Sequence, residues 1–334
     1  MSISMSMSMK EITHCPGTLS EGFATYSRTC LTKVFHGKKV HHVLSYNSPS
    51  SDTETDALFE ENRNRISISG VQEKFSVLLE KNKLRLVKEG EIGQYILKPI
   101  PSFGKKANQM PANEHLTMQI AKQVFGIETA ENALIFFNNG EPAYITKRFD
   151  FNEEGAKLAQ EDFASLAQRT PQTHGEHYKY LGNYSDLFEL MKVYLPAYAL
   201  EAPKLFKLLI FNYLFSNGDA HLKNFSLLET PMGDYRLSPA YDLLNSRIHI
   251  EDKDFALDDG LLPKKKSGGS IKSQFISLAQ LAGINEKIVK ETLLLMTSDT
   301  EQVTKLINRS FLDDTTKRNY LQSYQGRLKR LMKE

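Results

Sequence analysis

Two carboxylates and one amide stand at a spacing that suits phosphoryl transfer. Asp219 and Asn224 lie five residues apart in the string NGDAHLKN, and Asp242 follows eighteen residues later. In such a site the first carboxylate accepts the proton of an attacking hydroxyl, while the amide and the second carboxylate hold Mg²⁺ on the phosphates. Mg²⁺ prefers oxygen ligands and keeps some of its waters, so few protein ligands suffice. The alternative is a plain turn in which Asn217 to Asp219 cap the next element.

A strongly apolar run from Lys204 to Phe215 precedes this segment and predicts the helix that carries it. Farther upstream, the stretch from Arg65 to Val87 has alternating apolar residues on either side of a KNK turn and predicts a β-hairpin. Gly70 lies in its small-residue lead-in, where backbone N–H groups could approach a phosphate. The glycine spacings of a P-loop are absent, which disfavours a P-loop NTPase. The alternative is an ordinary hairpin with a polar lead-in.

The strand predicted from Gln94 to Ile100 carries Lys98 near its end. A lysine in an apolar strand points to a ligand or partner, because burying an ammonium alone is costly. Kinases use a lysine here for the nucleotide phosphates and fix it with a glutamate of the following helix. Glu114 lies sixteen residues on, in a helix predicted between Pro111 and Gly126. Glu114 could equally be a partner of that helix's dipole.

Two further strands are predicted around the turn NNG at residues 138–140. The chain then reaches Lys147 to Phe149, where a kinase hinge would present backbone groups to adenine. The segment from Gln160 to Gln168 is predicted to begin a helical part. After Leu244, apolar residues at three- and four-residue spacing predict that helices complete it.

Composition bounds the class of protein. The chain has 334 residues, 40% hydrophobic and 25% charged, with a net charge of +2. These values predict a globular protein with one large two-lobed unit or two domains. No apolar run approaches the ~18–20 residues of a membrane span, and the N-terminus lacks the apolar region of a secretory signal. We therefore expect a cytoplasmic protein without a membrane partner. The basic run Lys264 to Lys266 is expected to be a solvated loop.

The N-terminal 65 residues contain both cysteines, Cys15 and Cys30. Their surroundings resemble part of a zinc knuckle, but Thr18 and Ser27 occupy two positions where ligands would be needed. We therefore predict no metal there. The first residues and the polar stretch from Ser45 to Arg65 are expected to be partly disordered.

Seven strings together resemble the HipA-like serine/threonine kinases of bacterial toxin–antitoxin systems. They occur in order between Ser67 and Leu244: SISGVQEKFSVLL, YILKP, NEHLTMQIA, ITKRFD, QEDFA, LFSNGDAHLKNFSLL and LSPAYDLL. The resemblance implies an α+β, bilobal fold like that of protein kinases and phosphatidylinositol kinases, with a β-rich N-lobe and an all-helical C-lobe. The expected segments are an extension at 1–65, the N-lobe at 66–150 and the C-lobe at 151–334. The implied cofactors are ATP and Mg²⁺.

The resemblance also assigns roles to single residues. Lys98 would bind phosphate and pair with Glu114, Asp219 would be catalytic, and Asn224 and Asp242 would hold Mg²⁺. Further ATP-binding residues would be Lys147, Phe149, Ser69, Gly70, His221 and Lys223. Ser67 matches the loop serine that this family autophosphorylates, and Ser69 is a second candidate.

The 66 residues before the loop serine are fewer than in long family members, so the chain looks like the short form, HipT, of three-gene HipBST systems. That resemblance implies a small HipS-like antitoxin, a HipB-like DNA-binding antitoxin and only indirect contact with DNA. It also implies an aminoacyl-tRNA synthetase as substrate, tryptophanyl-tRNA synthetase first. The chain contains no tryptophan, which would let it be translated after tryptophan charging stops, although chance also explains the absence.

Two other functions stay open at this point. One is a catalytically quiet module that only forms regulatory complexes, although every metal and base position is filled. The other is a small-molecule kinase on the same fold, which would transfer phosphate to no protein.

Overall fold

The computed structural model describes residues 12–49, 73–102, 104–152, 154–251 and 253–333. The chain forms two compact units that alternate along the sequence. The first contains Met1–His115, Glu131–Arg148 and Arg309–Leu312. The second contains Leu116–Ala130, Phe149–Asn308 and Asp313–Glu334.

An antiparallel sheet of five strands is the centre of the first unit. The strands are β1 (Phe75–Glu80), β2 (Lys83–Leu86), β3 (Tyr95–Lys98), β4 (Asn132–Phe136) and β5 (Pro142–Lys147). Their order is β2-β1-β3-β5-β4. The predicted hairpin is confirmed by the pairing of Val77 with Leu86, and the second hairpin by the pairing of Ala133 with Ile145. Alternate side chains of β1 are buried, as the period of two requires.

The described N-terminal residues pack against this sheet. Helix α1 (Arg28–Phe35) is capped by Ser27, whose side chain accepts a hydrogen bond from the backbone N–H of Cys30. Tyr26 and Phe35 belong to the same apolar core as Phe75 of β1. Residues 12–49 therefore contribute to the first unit's core. Of the residues expected to be partly disordered, 45–49 are described and Tyr46 packs against this core, while 1–11 and 50–65 lie outside the described part.

Both cysteines are buried in this segment and neither forms a disulfide. The sulfur of Cys15 accepts hydrogen bonds from the backbone N–H groups of Ser27 and Gly17, at 3.1 and 3.4 Å. A hydrogen bond from Cys30, with those from Ser27, lowers the pKa of Cys15 to about 4. Within the described residues, no cluster of three or more histidine, cysteine or acidic side chains could hold a metal ion.

The second unit is mainly helical. Helix α2 (Met110–Gln123), the predicted helix after Lys98, runs from the first unit into the second. The other described helices are α3 (Phe163–Leu166), α4 (Pro171–His174), α5 (Ser185–Tyr194), α6 (Tyr198–Leu214), α7 (Ile271–Leu281), α8 (Glu286–Ser298), α9 (Thr300–Arg309) and α10 (Asp314–Met332). Helix α6 is buried along most of its length and packs against α5, α8 and α10.

The all-helical composition expected for the C-lobe is wrong. Three strands, β6 (Gln160–Asp162), β7 (Ser226–Glu229) and β8 (Tyr235–Leu237), form a second antiparallel sheet in this unit. Gln160 to Asp162 were expected to begin a helix, but they pair with Leu228 to Ser226 of β7. Asp162 then caps α3 by accepting from the N–H of Ser165, at 2.9 Å. The helix therefore begins only at Phe163.

No helix among the described residues is long and apolar enough to cross a membrane.

Candidate active site

The turn that carries Asp219 begins where α6 ends. Ser216 follows the helix with a φ of 53°, in the left-handed region that often ends a helix. The Ser246 hydroxyl donates to the Ser216 carbonyl at 2.9 Å and accepts from the N–H of Gly218, also at 2.9 Å. Asn217 N–H donates to the carbonyl of Asn212 at 2.8 Å. These bonds fix the backbone on the N-terminal side of Asp219.

Asp219 is half-buried and accepts a hydrogen bond from a tyrosine that the sequence did not single out. The hydroxyl of Tyr180 donates to Asp219 Oδ1 at 2.8 Å. The ring of Tyr180 lies edge-on to His221, with 5.2 Å between the centroids. The carboxylate therefore lies in a site with aromatic side chains rather than at an open loop tip.

Asn224 and Asp242 come together as the spacing predicted. Asn224 Nδ2 lies 3.3 Å from Asp242 Oδ2, and Asn224 Oδ1 accepts from the backbone N–H of His221 at 3.1 Å. Asp242 has a φ of 55°, a conformation that is uncommon outside glycine and that aspartate adopts more readily than most residues. Strained backbone of this kind occurs often at functional sites. The Asp242 carboxylate and the Asn224 amide oxygen are donor types that Mg²⁺ prefers. Here the amide nitrogen of Asn224 faces Asp242, so holding the ion with both oxygens would require the amide to turn.

Two side chains from other segments contact Lys223, which lies between Asp219 and Asn224. Tyr241 donates from its hydroxyl to the carbonyl of Lys223 at 2.9 Å. Lys223 also forms an ion pair with Asp162, 3.4 Å from Nζ to Oδ2. Burial of His221 lowers the pKa of its ring to about 3, and the positive charge of Lys179 contributes to the shift. The His221 ring is therefore neutral at physiological pH.

Lys98 and Glu114 form a buried ion pair within the first unit. Lys98 Nζ lies 2.7 Å from Glu114 Oε1, with only 7% and 2% of the side chains exposed. The Lys98 ammonium also lies 5.5 Å from the ring centroid of Tyr144, its neighbour across β3 and β5. The predicted pairing is therefore formed, and Glu114 is more than a partner of the helix dipole.

The two predicted hinge residues fall on different units. Lys147 is half-buried at the end of β5, and burial lowers its pKa, partly offset by Glu131. Its backbone N–H donates to the Glu131 carbonyl at 2.7 Å, and the next N–H, of Arg148, donates to Gln94 at 2.9 Å. A contact between adenine and either N–H would require that bond to break. Phe149 belongs to the second unit and lies 5.7 Å, centroid to centroid, from Tyr241.

Ser67, Ser69 and Gly70, the predicted phosphate loop and autophosphorylation sites, lie outside the described residues. The basic run Lys264 to Lys266 is exposed, as expected for a solvated loop.

Sequence reasoning missed Tyr180 and Ser246. Tyr180 lies 39 residues before Asp219 in a polar loop, and Ser246 lies 28 residues after Gly218. No local spacing links either residue to the Asp219 turn. Only the tyrosine-rich string YKYLGNY at 178–184 was a signal that this loop could do more than connect helices.

The fold is a mixed α+β fold shared with two solved structures. One is the HipA toxin of Shewanella oneidensis MR-1, determined with HipB and its operator DNA. The match has a TM-score of 0.59 and 19% identity, and covers 79% of this chain and 63% of that one. The other is the proinflammatory kinase CtkA of Helicobacter pylori, with a TM-score of 0.52 and 16% identity, covering 76% and 92% of the two chains.

Two sequence relatives carry kinase names. A protein named "Putative kinase Y4dM" from Sinorhizobium fredii is 32% identical over 76% of this chain, which spans 62% of the relative's length. A protein of Haemophilus influenzae named "Putative kinase" is 24% identical over 79% of this chain and 81% of its own length. The family model of the HipA-like C-terminal domain matches residues 66–306, and the chain belongs to that family.

Proposed function

We propose that this protein is an ATP-dependent serine/threonine protein kinase and the toxin of a bacterial toxin–antitoxin system, acting in the cytoplasm. The observation that carries the proposal is the contact between Asn224 and Asp242, 3.3 Å apart in the unit that also holds Asp219. Membership of the HipA-like C-terminal domain family supports it. In this proposal the first unit is the β-rich lobe and the second the mainly helical lobe.

The reaction assigns one task to each group. Asp219 orients the substrate hydroxyl and accepts its proton as the oxygen bonds to the γ-phosphorus. The bond from that phosphorus to the bridging oxygen breaks, and ADP leaves with the electron pair. Lys98, held by Glu114, would bind the nucleotide phosphates, with Ser69, Gly70, His221 and Lys223 as further ATP contacts and Lys147 and Phe149 at adenine. Asn224 and Asp242 would hold Mg²⁺, which neutralises charge on the phosphates.

The neutral state of His221 suits this role. A buried imidazole with a pKa near 3 adds no charge beside Asp219 at physiological pH.

A labelling assay tests the kinase proposal. Purified protein with Mg²⁺ and γ-labelled ATP should transfer label to serine or threonine in a bacterial lysate. Asp219→Asn should reduce the transfer by roughly 100-fold or more, because general-base catalysis contributes about that much. Asp314→Asn is the matched control, since Asp314 is exposed in the first turn of α10. Equal labelling by wild type and Asp219→Asn would overturn the proposal.

We further propose that the substrate is a serine of an aminoacyl-tRNA synthetase, tryptophanyl-tRNA synthetase first, and that phosphorylation there blocks translation. A phosphate carries about −1.5 to −2 charge at neutral pH and would repel the synthetase's own ATP. Overexpression of that synthetase should rescue growth by titrating the kinase, whereas glutamyl-tRNA synthetase should not. The opposite pattern would exclude tryptophanyl-tRNA synthetase.

Autophosphorylation and antitoxins would regulate the enzyme. Phosphate on Ser67 or Ser69 would repel ATP phosphates and inhibit the kinase. The HipA relative crystallised with HipB and operator DNA, which supports a HipB-like partner here, with DNA contacted only through it. A HipS-like protein would be the small antitoxin if the chain is the short form. Co-expression with both neighbours and size exclusion would test these partners.

If the wild-type protein transfers no label in this assay, the remaining function is that of a catalytically quiet module that forms regulatory complexes. Transfer of label to a small molecule but to no protein would favour a small-molecule kinase.

A further inference from the structure

Tyr180 lies at the carboxylate to which we assign proton transfer. Its hydroxyl donates to Asp219 Oδ1 at 2.8 Å, and both residues belong to the second unit. Tyr180 forms no part of the spacing that suggested phosphoryl transfer. A hydrogen bond from a neutral hydroxyl to a carboxylate is charge-assisted and is among the stronger hydrogen bonds in proteins.

The segment that carries Tyr180 is held in place through its backbone. The N–H of Asp258 donates to the Tyr180 carbonyl at 2.9 Å, and the N–H of Asp259 donates to the Gly182 carbonyl at 3.0 Å. Gly182 has a φ of 84°, a conformation that L side chains rarely adopt. These bonds tie the loop to residues 258–259 and limit how far the Tyr180 hydroxyl can move.

The Tyr180 ring is also fixed by its neighbours. His221 lies edge-on to it at 5.2 Å, and the Lys179 ammonium lies 5.1 Å from the ring centroid. The ring of His177 packs on it at 5.0 Å, while His177 itself pairs with Asp258, 3.0 Å between Nε2 and Oδ2. The direction of the hydroxyl is therefore set by packing around the ring.

A second tyrosine of the same segment holds the next residue of the catalytic turn. Tyr184 is buried, and its hydroxyl donates to the carbonyl of Ala220 at 2.7 Å. Its ring packs edge-on against Phe225 at 6.1 Å. One segment thus binds the side chain of Asp219 and the backbone of Ala220. Two hydrogen bonds to neighbouring residues of the turn are expected when the segment of Tyr180 and Tyr184 stays in place. They are not expected of a mobile lid.

We propose that Tyr180 is a positioning residue for phosphoryl transfer, which holds the Asp219 carboxylate in the orientation that receives the substrate hydroxyl. The inference rests on the proposed kinase function. Each carboxylate oxygen accepts more than one hydrogen bond, so the tyrosine and the substrate can bind the same group. Loss of the tyrosine hydroxyl removes one of the contacts that orient the carboxylate. A small misplacement of a reacting group lowers the rate strongly. In this proposal Tyr180 makes no contact with ATP.

Tyr180→Phe tests the inference, because it removes the hydroxyl and keeps the ring that packs on His221. The maximal rate of label transfer from γ-labelled ATP to lysate protein should fall roughly tenfold, the usual weight of a hydrogen bond to a charged group. The KM for ATP should stay within about twofold of wild type, since only the chemical step is affected. Asp219→Asn provides the background rate.

Tyr198→Phe is the matched control. The Tyr198 hydroxyl also donates to a neighbour, the carbonyl of Ala282 at 2.6 Å, but it belongs to α6 and not to the Asp219 turn. Its maximal rate should equal that of wild type.

A wild-type maximal rate in Tyr180→Phe would overturn the inference and leave the kinase function standing. If Tyr180→Phe raises the KM for ATP by the same factor by which it lowers the maximal rate, the inference is also overturned. A wild-type protein no more active than Asp219→Asn would remove the kinase function and the inference with it. A circular dichroism melt that coincides with wild type is expected for Tyr180→Phe. If the melt does not coincide, the two rates are compared at a temperature where both proteins are fully folded, and a wild-type rate for Tyr180→Phe there would overturn the inference.

Discussion

At the scale of single residues, the buried pair of Lys98 and Glu114 is the group whose energetics most clearly point to function. Two charges this deeply buried lose their hydration, and their mutual attraction only offsets that cost. A well-packed apolar pair of similar volume would serve stability as well or better. The charges are therefore better explained by a ligand for Lys98 than by a need for stability.

Lys98→Met should lower the free energy of unfolding by about 3–5 kcal/mol, because it removes the buried cation that lies 2.7 Å from the Glu114 carboxylate. The double variant Lys98→Met, Glu114→Leu should recover most of that stability and still fail to transfer phosphate. Urea unfolding and the labelling assay would measure the two effects.

Lys192→Met is the control for this series. It breaks an exposed ion pair with Glu189 in α5, where the loss should be under about 1 kcal/mol. Equal stability of Lys98→Met and wild type would contradict the burial of the pair.

At the scale of elements, the turn after α6 depends on a residue from a distant segment. Ser246 bridges the Ser216 carbonyl and the Gly218 N–H with one hydroxyl. All three residues are buried, so bulk solvent does not reach these backbone groups in the folded protein. The position of Asp219 is thus set partly by the chain after Asp242.

Ser246→Ala should destabilise the protein by about 1–3 kcal/mol, because it leaves the buried N–H of Gly218 without an acceptor. The rate of phosphoryl transfer should fall as the turn loosens. Ser267→Ala removes a hydroxyl that donates to Lys264 in an exposed loop and should change neither quantity. Thermal unfolding and the labelling assay would measure stability and rate. If Ser246→Ala changes neither, the turn keeps its structure without the Ser246 hydrogen bonds.

Most elements of the fold could be predicted from the sequence because their signals are local. Alternation at Phe75 and Val77 predicts the first hairpin, and three- and four-residue spacing predicts the C-terminal helices. The strand at Gln160 could not be predicted, because its polar side chains show no alternation and its partner Leu228 is 68 residues away. The contact of Asn224 with Asp242 followed from spacing, whereas Tyr180 reaches Asp219 only through the packing of a separate loop.

At the scale of the whole molecule, the buried neutral histidine His115 makes the free energy of unfolding depend on pH. His115 is 1% exposed, and burial lowers its pKa from 6.5 to about 4. Its Nε2 lies 3.1 Å from the Gly17 carbonyl, which fixes that nitrogen as the donor of the neutral ring. Between these two pKa values the unfolded chain binds a proton at this residue and the folded chain does not.

The free energy of unfolding should therefore fall as pH decreases from about 6.5 towards about 4, by up to ~1.4 kcal/mol per pH unit for this histidine. His115→Gln keeps a donor for Gly17 and removes the titration, so its profile should be shallower over that interval. His174→Gln, at an exposed position, should follow wild type. Urea titrations at several pH values would measure the slopes, and parallel profiles for His115→Gln and wild type would contradict the prediction.

The burial of Cys15 and Cys30, at 0% and 1% exposure, has a practical consequence. A thiol reagent cannot reach either sulfur until the N-terminal segment separates from the sheet, so alkylation kinetics would report that opening. The low pKa of Cys15 depends on the hydrogen bonds of the closed segment, so a sulfur exposed by opening would react as an ordinary thiol. Since the chain has only these two cysteines, labelling with and without an antitoxin would show, without any engineered probe, whether the partner clamps this segment shut.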